Sequence, residues 1–552
     1  ALSSAASDVY KRQVVGIVAL PLAIAFGIAS GVSPTIGLIT AIIGGFMVSA
    51  FGGNSVQIGG PTGAFIVIVY GIIARFGLEG LAVATFMAGL ILVLMGLFKL
   101  GTVIKFIPYP IVVGFTAGIA LTILSTQVND FLGMGLRDLP GDFVTKWGVY
   151  FRNFDQIHVP TLLVALASLA IIIVSPKISK RLPGALLAIV VITAAVYLLK
   201  IYDPSLGITT IGDRFGGMST DLPEVHGFKL TMENINLLLP SAFTIAVLGA
   251  IESLLSATVA DGVTGSHTST NTELIGQGMA NIVVPFFGGI PVTGAIARTM
   301  TNITNGGRTP MAGVVHAVVL LLIFIFLMPL INYVPMACLA AVLVMVSYNM
   351  SGWRTIRGML KNPKSDISVM TVTFLLTVVF DLTIAIEIGL LLAIVLFLRR
   401  VMENTEIKVY SEQLDVAEGT DLDASHHEVL DVKPGVEVYE IDGPFFFGVA
   451  TKFDEMMRST LGEKPKVRIV RMRKVPFIDS TAIHNLEILI TSSQKENIHV
   501  VLSGVKENVR QTLMHAGIDR LIGADHICPH ISVAVKMANA IVEKENGNEK
   551  TA

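Results

Sequence analysis

The sequence predicts an α-helical polytopic membrane protein of about fourteen spans in two inverted seven-span repeats, followed by a small cytosolic α/β domain. Three observations carry that fold class. Of 552 residues, 53% are hydrophobic and only 14% are charged, with a mean hydropathy of +0.72, whereas about a quarter of a soluble chain is charged. Apolar segments follow one another almost without pause from Val14 to Leu398. After Arg400 the composition changes abruptly to a charged stretch and then to short β-rich runs alternating with helical ones, the pattern of an α/β domain.

A spanning helix needs about 20 apolar residues, fewer where it is broken. On that ruler segments fall at 14–30, 36–51, 62–74, 80–98, 106–125, 160–175, 183–199, 241–258, 274–287, 294–304, 311–330, 335–348, 367–380 and 383–398. They divide into seven and seven, and an odd number of spans per repeat forces the second half to be inverted. The third segment then corresponds to the tenth. Residues 401–434 read as a linker and 435–545 as the terminal domain, with strands at 436–441, 445–449, 467–471 and 499–502 and helices at 452–460, 480–496 and 507–516. A tail at 546–552 reads as disordered. Residues 1–13 have neither an initiator methionine nor the apolar core of a signal peptide, and are expected to be a non-native scar segment outside the fold.

The third and tenth segments open on nearly the same string, Gly59-Gly60-Pro61-Thr62-Gly63-Ala64 and Gly288-Gly289-Ile290-Pro291-Val292-Thr293-Gly294-Ala295. Paired interrupted helices in corresponding positions of two halves point to the substrate site of a secondary transporter. A helix that starts inside the membrane leaves its first N–H groups unpaired and carries about half a positive charge there, so two facing starts make an anion site. Proline suits a first helical turn and glycine lets an ion approach the backbone. The plain alternative is a pair of ordinary turns between spans, but irregular backbone at membrane depth persists only where protein buries it or it lines a cavity.

With the N-terminus inside, the inner loops hold Lys99 and Lys105, then Lys177, Lys180 and Arg181, then Arg308, then Arg354, Arg357, Lys361 and Lys364, with Arg399 and Arg400 after the last span. Among the short outer loops only Arg75 is basic. The positive-inside rule places both termini in the cytoplasm, and the polar connections 127–159 and 201–239 outside. A net charge of −2 argues against nucleic acid as a partner. Cys338 and Cys528 give no disulfide framework. Cys528 lies between His526 and His530, but with no second ligand pair no metal site is expected. No nucleotide-binding loop or catalytic triad appears, so neither a catalytic residue nor a cofactor is expected, and an ATP-driven pump or a membrane enzyme has no residues to work with.

The runs ALPLAIAFGIASGVSPTIGL, QIGGPTGAFIVIVYG, LGAIESLLSATVADG and FGGIPVTGAIARTMTNITNGGRTPMAG resemble the bacterial SulP family of anion transporters, whose animal relatives include prestin and pendrin. The string PFIDSTAIHNLE is similar to the loop and helix of a STAS domain. The resemblance covers the chain from Val14 to about Val542. It implies a core domain of spans one to four and eight to eleven, a gate domain of the rest, elevator-like movement, homodimers in the bacterial inner membrane, and a STAS domain open to cytosolic protein partners. It implies that the anion binds between the starts of spans three and ten, closed by spans one and eight. The matching positions are Phe26, then Thr62, Gly63 and Ala64, then Glu252 and Ser256, and then Gly294, Ala295, Ile296, Ala297 and Arg298. Taken alone, Phe26 reads as helix packing, the usual role of a lone aromatic in a membrane helix.

Glu252 is the most informative side chain, because a carboxylate inside an apolar span faces a cavity or pairs with something. Ser256 lies one turn on along the same helix face, so the two would form a coupling-ion site. Burial favours the neutral acid, which would let Glu252 take up and release protons. The structural alternative ties it to Arg298 or to backbone amides. In the family, sodium-driven bicarbonate members carry aspartate and threonine at the positions of Glu252 and Ser256, and proton-coupled members carry glutamate. The coupling ion expected is therefore H+, with Na+ the alternative. Arg298 would add a cation beside the anion, neutralise Glu252, or serve as scaffold. Asp381 and Glu387 flank the start of the last span without an assigned role.

In the terminal domain, Ser480 and Thr481 follow Asp479 where relatives of this fold carry a phosphorylatable hydroxyl, and phosphate is welcome at a helix N-terminus. Ser and Asp are also ordinary N-caps. The function expected is secondary transport of a small inorganic or carboxylate anion of the sulfate, bicarbonate or dicarboxylate class. A passive channel and a membrane-bound anion sensor are the alternatives.

Overall fold

A computed structural model of the chain describes residues 19–102, 108–137, 139–178, 183–216, 224–380, 382–410, 413–415, 429–458 and 464–549. The expected scar segment 1–13, Asp381 and the end of the tail lie outside them. The chain divides into two compact units, Ala1–Ala393 and Ile394–Ala552.

The first unit is helical, and each of the fourteen predicted segments falls on a helix. These are α1 (Ala19–Ala29), α2 (Pro34–Phe51), α3 (Ile66–Leu97), α4 (Tyr109–Leu132), α6 (Val159–Ile178), α7 (Gly184–Tyr202), α9 (Met232–Thr264), α10 (Thr270–Val283), α11 (Ile296–Thr304), α12 (Met311–Ile331), α13 (Met336–Met350), α15 (Lys364–Val379) and α16 (Leu382–Asn404). Thirteen helical elements hold fourteen segments because the third and fourth lie end to end in α3, where the non-helical Gly77 (φ 68°, ψ −172°) separates two helices at the expected boundary. Only glycine takes that conformation without strain, and Arg75, expected in the connecting loop, lies in the last turn of the helix before the break. Three short helices lie between: α5 (Phe143–Arg152), α8 (Ile211–Phe215) and α14 (Trp353–Met359). Among the described residues, eight helices are long and apolar enough to cross a membrane by themselves.

Sequence signals mark many of the ends. Ser33 caps α2 ahead of Pro34, Thr231 caps α9, and Gly133 and Gly265 close α4 and α9 in the left-handed conformation. The helices pack as two groups. One joins α2, α3, α9, α10 and α12, and the other joins α4, α6, α7, α13 and α15, the division that core and gate domains require.

The second unit is an α/β domain. Its five-stranded sheet has the order β3 (Glu406–Tyr410), β6 (Val436–Asp442), β7 (Val467–Arg471), β8 (His499–Ser503), β9 (Ile527–Cys528), with β3 antiparallel and the others parallel. Strands β4 (Gln413–Asp415) and β5 (Val429–Asp431) pair apart from it. The alternation of a sheet covered on both faces is plain: Val436, Val438, Val467, Ile469 and Val501 pack with α21 (Ile531–Glu549), while Tyr439, Ile441, Val470, Val500 and Leu502 pack with α17 (Phe447–Arg458), α18 (Ser480–Lys495), α19 (Glu507–His515) and α20 (Ile518–Ile522).

Three expectations change here. The predicted linker supplies the edge strand β3. The predicted strand at 445–449 is the entry to α17: the Asp479 carboxylate accepts a hydrogen bond from the Phe447 N–H at 3.0 Å, and Phe446, Val449, Ala450 and Phe453 turn one helical face to the core. The predicted disordered tail begins inside α21, which runs to Glu549.

Candidate functional site

The two glycine-proline strings meet. Gly59–Gly60 forms a two-residue strand, β1, paired antiparallel with a second, β2, at Thr293–Gly294, so that Gly59 faces Gly294 and Gly60 faces Thr293. Ala295 N–H extends the ladder to Ile58 O at 3.0 Å. Each strand then turns into a helix, through a 3-10 turn at Gly63–Phe65 into α3 and directly from Ala295 into α11. An antiparallel crossing sends the two helices away in opposite senses with their starts side by side. The pairing satisfies extended backbone that would otherwise stand open at membrane depth.

The crossing requires its glycines. Gly60 has φ 149°, and a Cβ there would collide with Arg298 Nη1; a Cβ on Gly294 would collide with the Gln57 amide. Around these positions the hydroxyls interlock. Ser253 and Thr293 share a hydrogen bond of 2.6 Å, Gly294 N–H donates to Ser253 Oγ at 3.2 Å, and Thr293 Oγ1 donates to Gly249 O at 3.0 Å. Gln57 Nε2 donates to Ser253 O, binding the first string to α9.

Arg298 lies in the first turn of α11 and is 2% exposed. Its Nη1 reaches Gly59 O only at 3.5 Å, and its Nε and Nη2 have no acceptor among the described residues. A buried guanidinium without a counter-charge is costly. Beside it, Ile296 and Ala297 are exposed at the start of α11, whose first N–H groups lack intrahelical partners by geometry. The crossing therefore sets an enclosed positive charge beside the open first turn of α11, an electrostatic setting that favours a small anion.

Glu252 is half-buried and its Oε2 accepts from Thr62 Oγ1 at 2.9 Å. No ion pair joins it to Arg298 among the described residues, so the structural alternative of a Glu252–Arg298 pair does not form. Ser256 lies on the same face one turn on, but it is buried and donates to Thr299 Oγ1 at 3.3 Å, while Thr299 accepts from Ile58 N–H. The two expected ion-coupling groups thus engage different partners. Phe26 is buried in the apolar cluster that holds Ala64, Phe65 and Ile66, with Gly63 abutting Met350.

A supporting layer was not foreseen. Asn281 clamps Val292 through both its amide atoms, Thr40 accepts from Ile290 N–H, and fully buried Glu273 accepts from Gly53 and Asn54 N–H while bonded to Gln277. These side chains fix the approach to the crossing. Glu273 stands at the edge of the ninth apolar segment, where its charge was a readable signal.

In the second unit Asp479, not Ser480, caps α18, accepting from Ala482 N–H at 2.8 Å, and leaves Ser480 and Thr481 exposed on its first turn.

The model of the Sulfate permease family matches residues 6–373, and that of the STAS domain matches 429–534. YvdB of Bacillus subtilis (strain 168) is 41% identical over 95% of this chain and 96% of its own. Bicarbonate transporter BicA of Picosynechococcus sp. is 30% identical over 92% of this chain and 90% of its own. The transmembrane domain of a cyanobacterial BicA superposes with a TM-score of 0.59 at 29% identity, covering 70% of this chain and 97% of that one. The murine Solute Carrier 26 family member A9 anion transporter, solved in its inward-facing state, gives a TM-score of 0.85 at 18% identity, with 97% and 91% covered; that likeness shows the fold.

Proposed function

The chain belongs to the sulfate permease family of multi-pass anion transporters, and on that premise we propose that it is a proton-coupled secondary transporter of a small oxyanion bound at the β1–β2 crossing. The observation that carries the reading is Arg298: a guanidinium 2% exposed, with two nitrogens lacking protein acceptors, beside the open start of α11. An anion accepts from those nitrogens and from the first N–H groups of α11, with Thr62, Gly63 and Ala64 forming the opposite wall and Phe26 closing it.

Glu252 supplies the coupling. Its carboxyl touches Thr62, which belongs to the anion wall, so protonation at Glu252 and occupation of the crossing bear on the same hydroxyl. A neutral Glu252 removes a negative charge from beside the anion, and the two load together. Movement of the helix group containing α3, α9 and α10 past the group containing α4, α13 and α15 would carry the site across the membrane, in a homodimer of the bacterial inner membrane with both termini inside. The STAS unit, through Ser480 and Thr481 or a cytosolic protein, would regulate it.

Purified protein in liposomes, given labelled sulfate, bicarbonate and dicarboxylates under imposed proton or sodium gradients, tests this. Concentrative uptake of one anion on an inward proton gradient is expected, and Glu252→Gln should abolish accumulation while retaining exchange of anion for anion. A Glu252→Gln protein that still concentrates substrate places the coupling group elsewhere. The likeness to BicA favours one second reading, bicarbonate transport driven by sodium, which uptake on a sodium gradient alone would establish. Downhill flux insensitive to pH would make the protein a channel.

A further inference from the structure

A separate cavity of about 480 Å³ lies on the α3 side of the crossing, walled by α1, α3, α4, α5, α9, α15 and the start of α16. No residue of α11 lines it. Its floor includes Ala29 and Ile66, each one helical turn beyond a site residue, Phe26 and Gly63. From there it follows α3 to Phe76, a helical rise of about 15 Å. Thr122, Thr126 and Thr377 on the wall donate their hydroxyl protons to carbonyls of their own helices. The charged donors left are Arg75, exposed at the rim, and Lys146.

Lys146 is the odd residue. It is 5% exposed, sits on the amphipathic helix α5, and its Nζ forms no hydrogen bond or ion pair among the described residues. Asp142 also lines the cavity, but it is exposed and its carboxylate is the N-cap of α5, accepting from Thr145 N–H at 2.9 Å. Burial pushes the Lys146 ammonium below the ordinary lysine range, and only the charge of Asp142 opposes the shift. The buried stem thus holds an ammonium without a protein acceptor at the wall of the cavity, where an anion can supply one.

We propose that this cavity is a second anion station, in which Lys146 holds a small oxyanion on the α3 side of the crossing, next in line to the Arg298 site. The inference rests on the transport reading above and adds to it a sided role. Ile66 and Ile68, which line the cavity, belong with Phe65 to the apolar cluster, and on this proposal an anion at Lys146 waits until the helix groups shift.

Sided kinetics in right-side-out and inside-out vesicles, with labelled sulfate and labelled bicarbonate, test it. Lys146→Met should raise KM about tenfold on the α5 face, as for one lost charge-assisted contact, and leave the other face unchanged; Lys146→Arg should restore it. Unchanged KM on both faces, or an equal rise on both, overturns the station. Protection of Lys146 in the wild-type protein needs neither a folded variant nor flux: millimolar sulfate or bicarbonate should slow trinitrophenylation of the Lys146 amine by trinitrobenzenesulfonate, which loses sulfite as the N–aryl bond forms, read by peptide mass spectrometry. Protection without flux would keep the station and sink the transport reading. Flux without protection would do the reverse.

Discussion

The starts of α3 and α11 carry nearly the same string and do different work. At α3 the turn is closed: Thr62, Gly63, Ala64, Phe65 and Ile66 are all buried, and the helix runs to the break at Gly77. At α11 the turn is open, with Ile296 44% exposed beside Ala297, and the helix lasts only nine residues. The first string supplies a rigid wall and its hydroxyl contact to Glu252. The second supplies the fixed charge of Arg298 and, on the proposed reading, would give the ion its access. A repeated motif thus sets matching backbone geometry, and the side chains that follow it divide the labour.

The sharpest way to break this comparison is at Gly294, where the crossing has no room. A Cβ there collides with Gln57, which ties the first string to α9. Gly294→Val should therefore pull the two starts apart and lower uptake by about 10²-fold, the cost of a displacement of about 1 Å in a binding constellation. Liposome uptake, with size-exclusion profiles to verify folding, measures it. Wild-type uptake would show that the crossing does not hold the anion.

Arg298 separates a binding role from a scaffold role. Its loss removes charge-assisted contacts worth about 1.5–3 kcal/mol to a bound anion, so Arg298→Met should weaken anion binding by about 10- to 100-fold. The same change removes an uncompensated buried charge, which is neutral or stabilising by about 1–4 kcal/mol when an apolar side chain fills the space. The expected result is weaker binding in a protein of equal or higher melting temperature. A melting temperature that falls, with binding intact, would make Arg298 a brace for β1.

Gly63 is the milder counterpart of Gly294. A Cβ there meets Met350 Sδ at 2.7 Å and Ile123 Cδ1 at 3.3 Å, and a thioether at the end of a flexible chain can swing aside. Gly63→Ala should cost about 1–3 kcal/mol of stability as overpacking and lower uptake only several-fold. Equal losses at Gly63 and Gly294 would erase the distinction between closed wall and open start.

Much of this was legible in the residues. Hydropathy places the spans because a bilayer demands long apolar helices, and the paired glycine-proline breaks stand out because irregular backbone at that depth needs a reason. What the sequence hid depends on tertiary partners. Phe445–Val449 has strand composition, and only the distant Asp479 carboxylate shows why α17 starts there. Ser256 and Glu252 share a helix face, but the faces that meet them differ, so one touches Thr299 and the other Thr62. Lys146 sits in a segment that reads as a polar outer loop, and nothing local signals its burial.

The smallest effect is expected from removing the second unit. Every residue of the crossing and its supporting layer lies before Ala393, inside the first compact unit, while the sheet and its two apolar clusters are built from residues after it. A chain ending after Asn404 keeps α16 whole and should keep the anion site. Ligand bound to the native state alone stabilises it by about 2.7 kcal/mol at a hundred times Kd, so the transported anion should raise the melting temperature of the truncated and full-length proteins alike. Regulation of flux should be lost with the STAS unit. A truncated protein that stays folded and gains nothing from the anion would mean that the second unit helps to build the site, and the contrast between the starts of α3 and α11 would no longer account for binding.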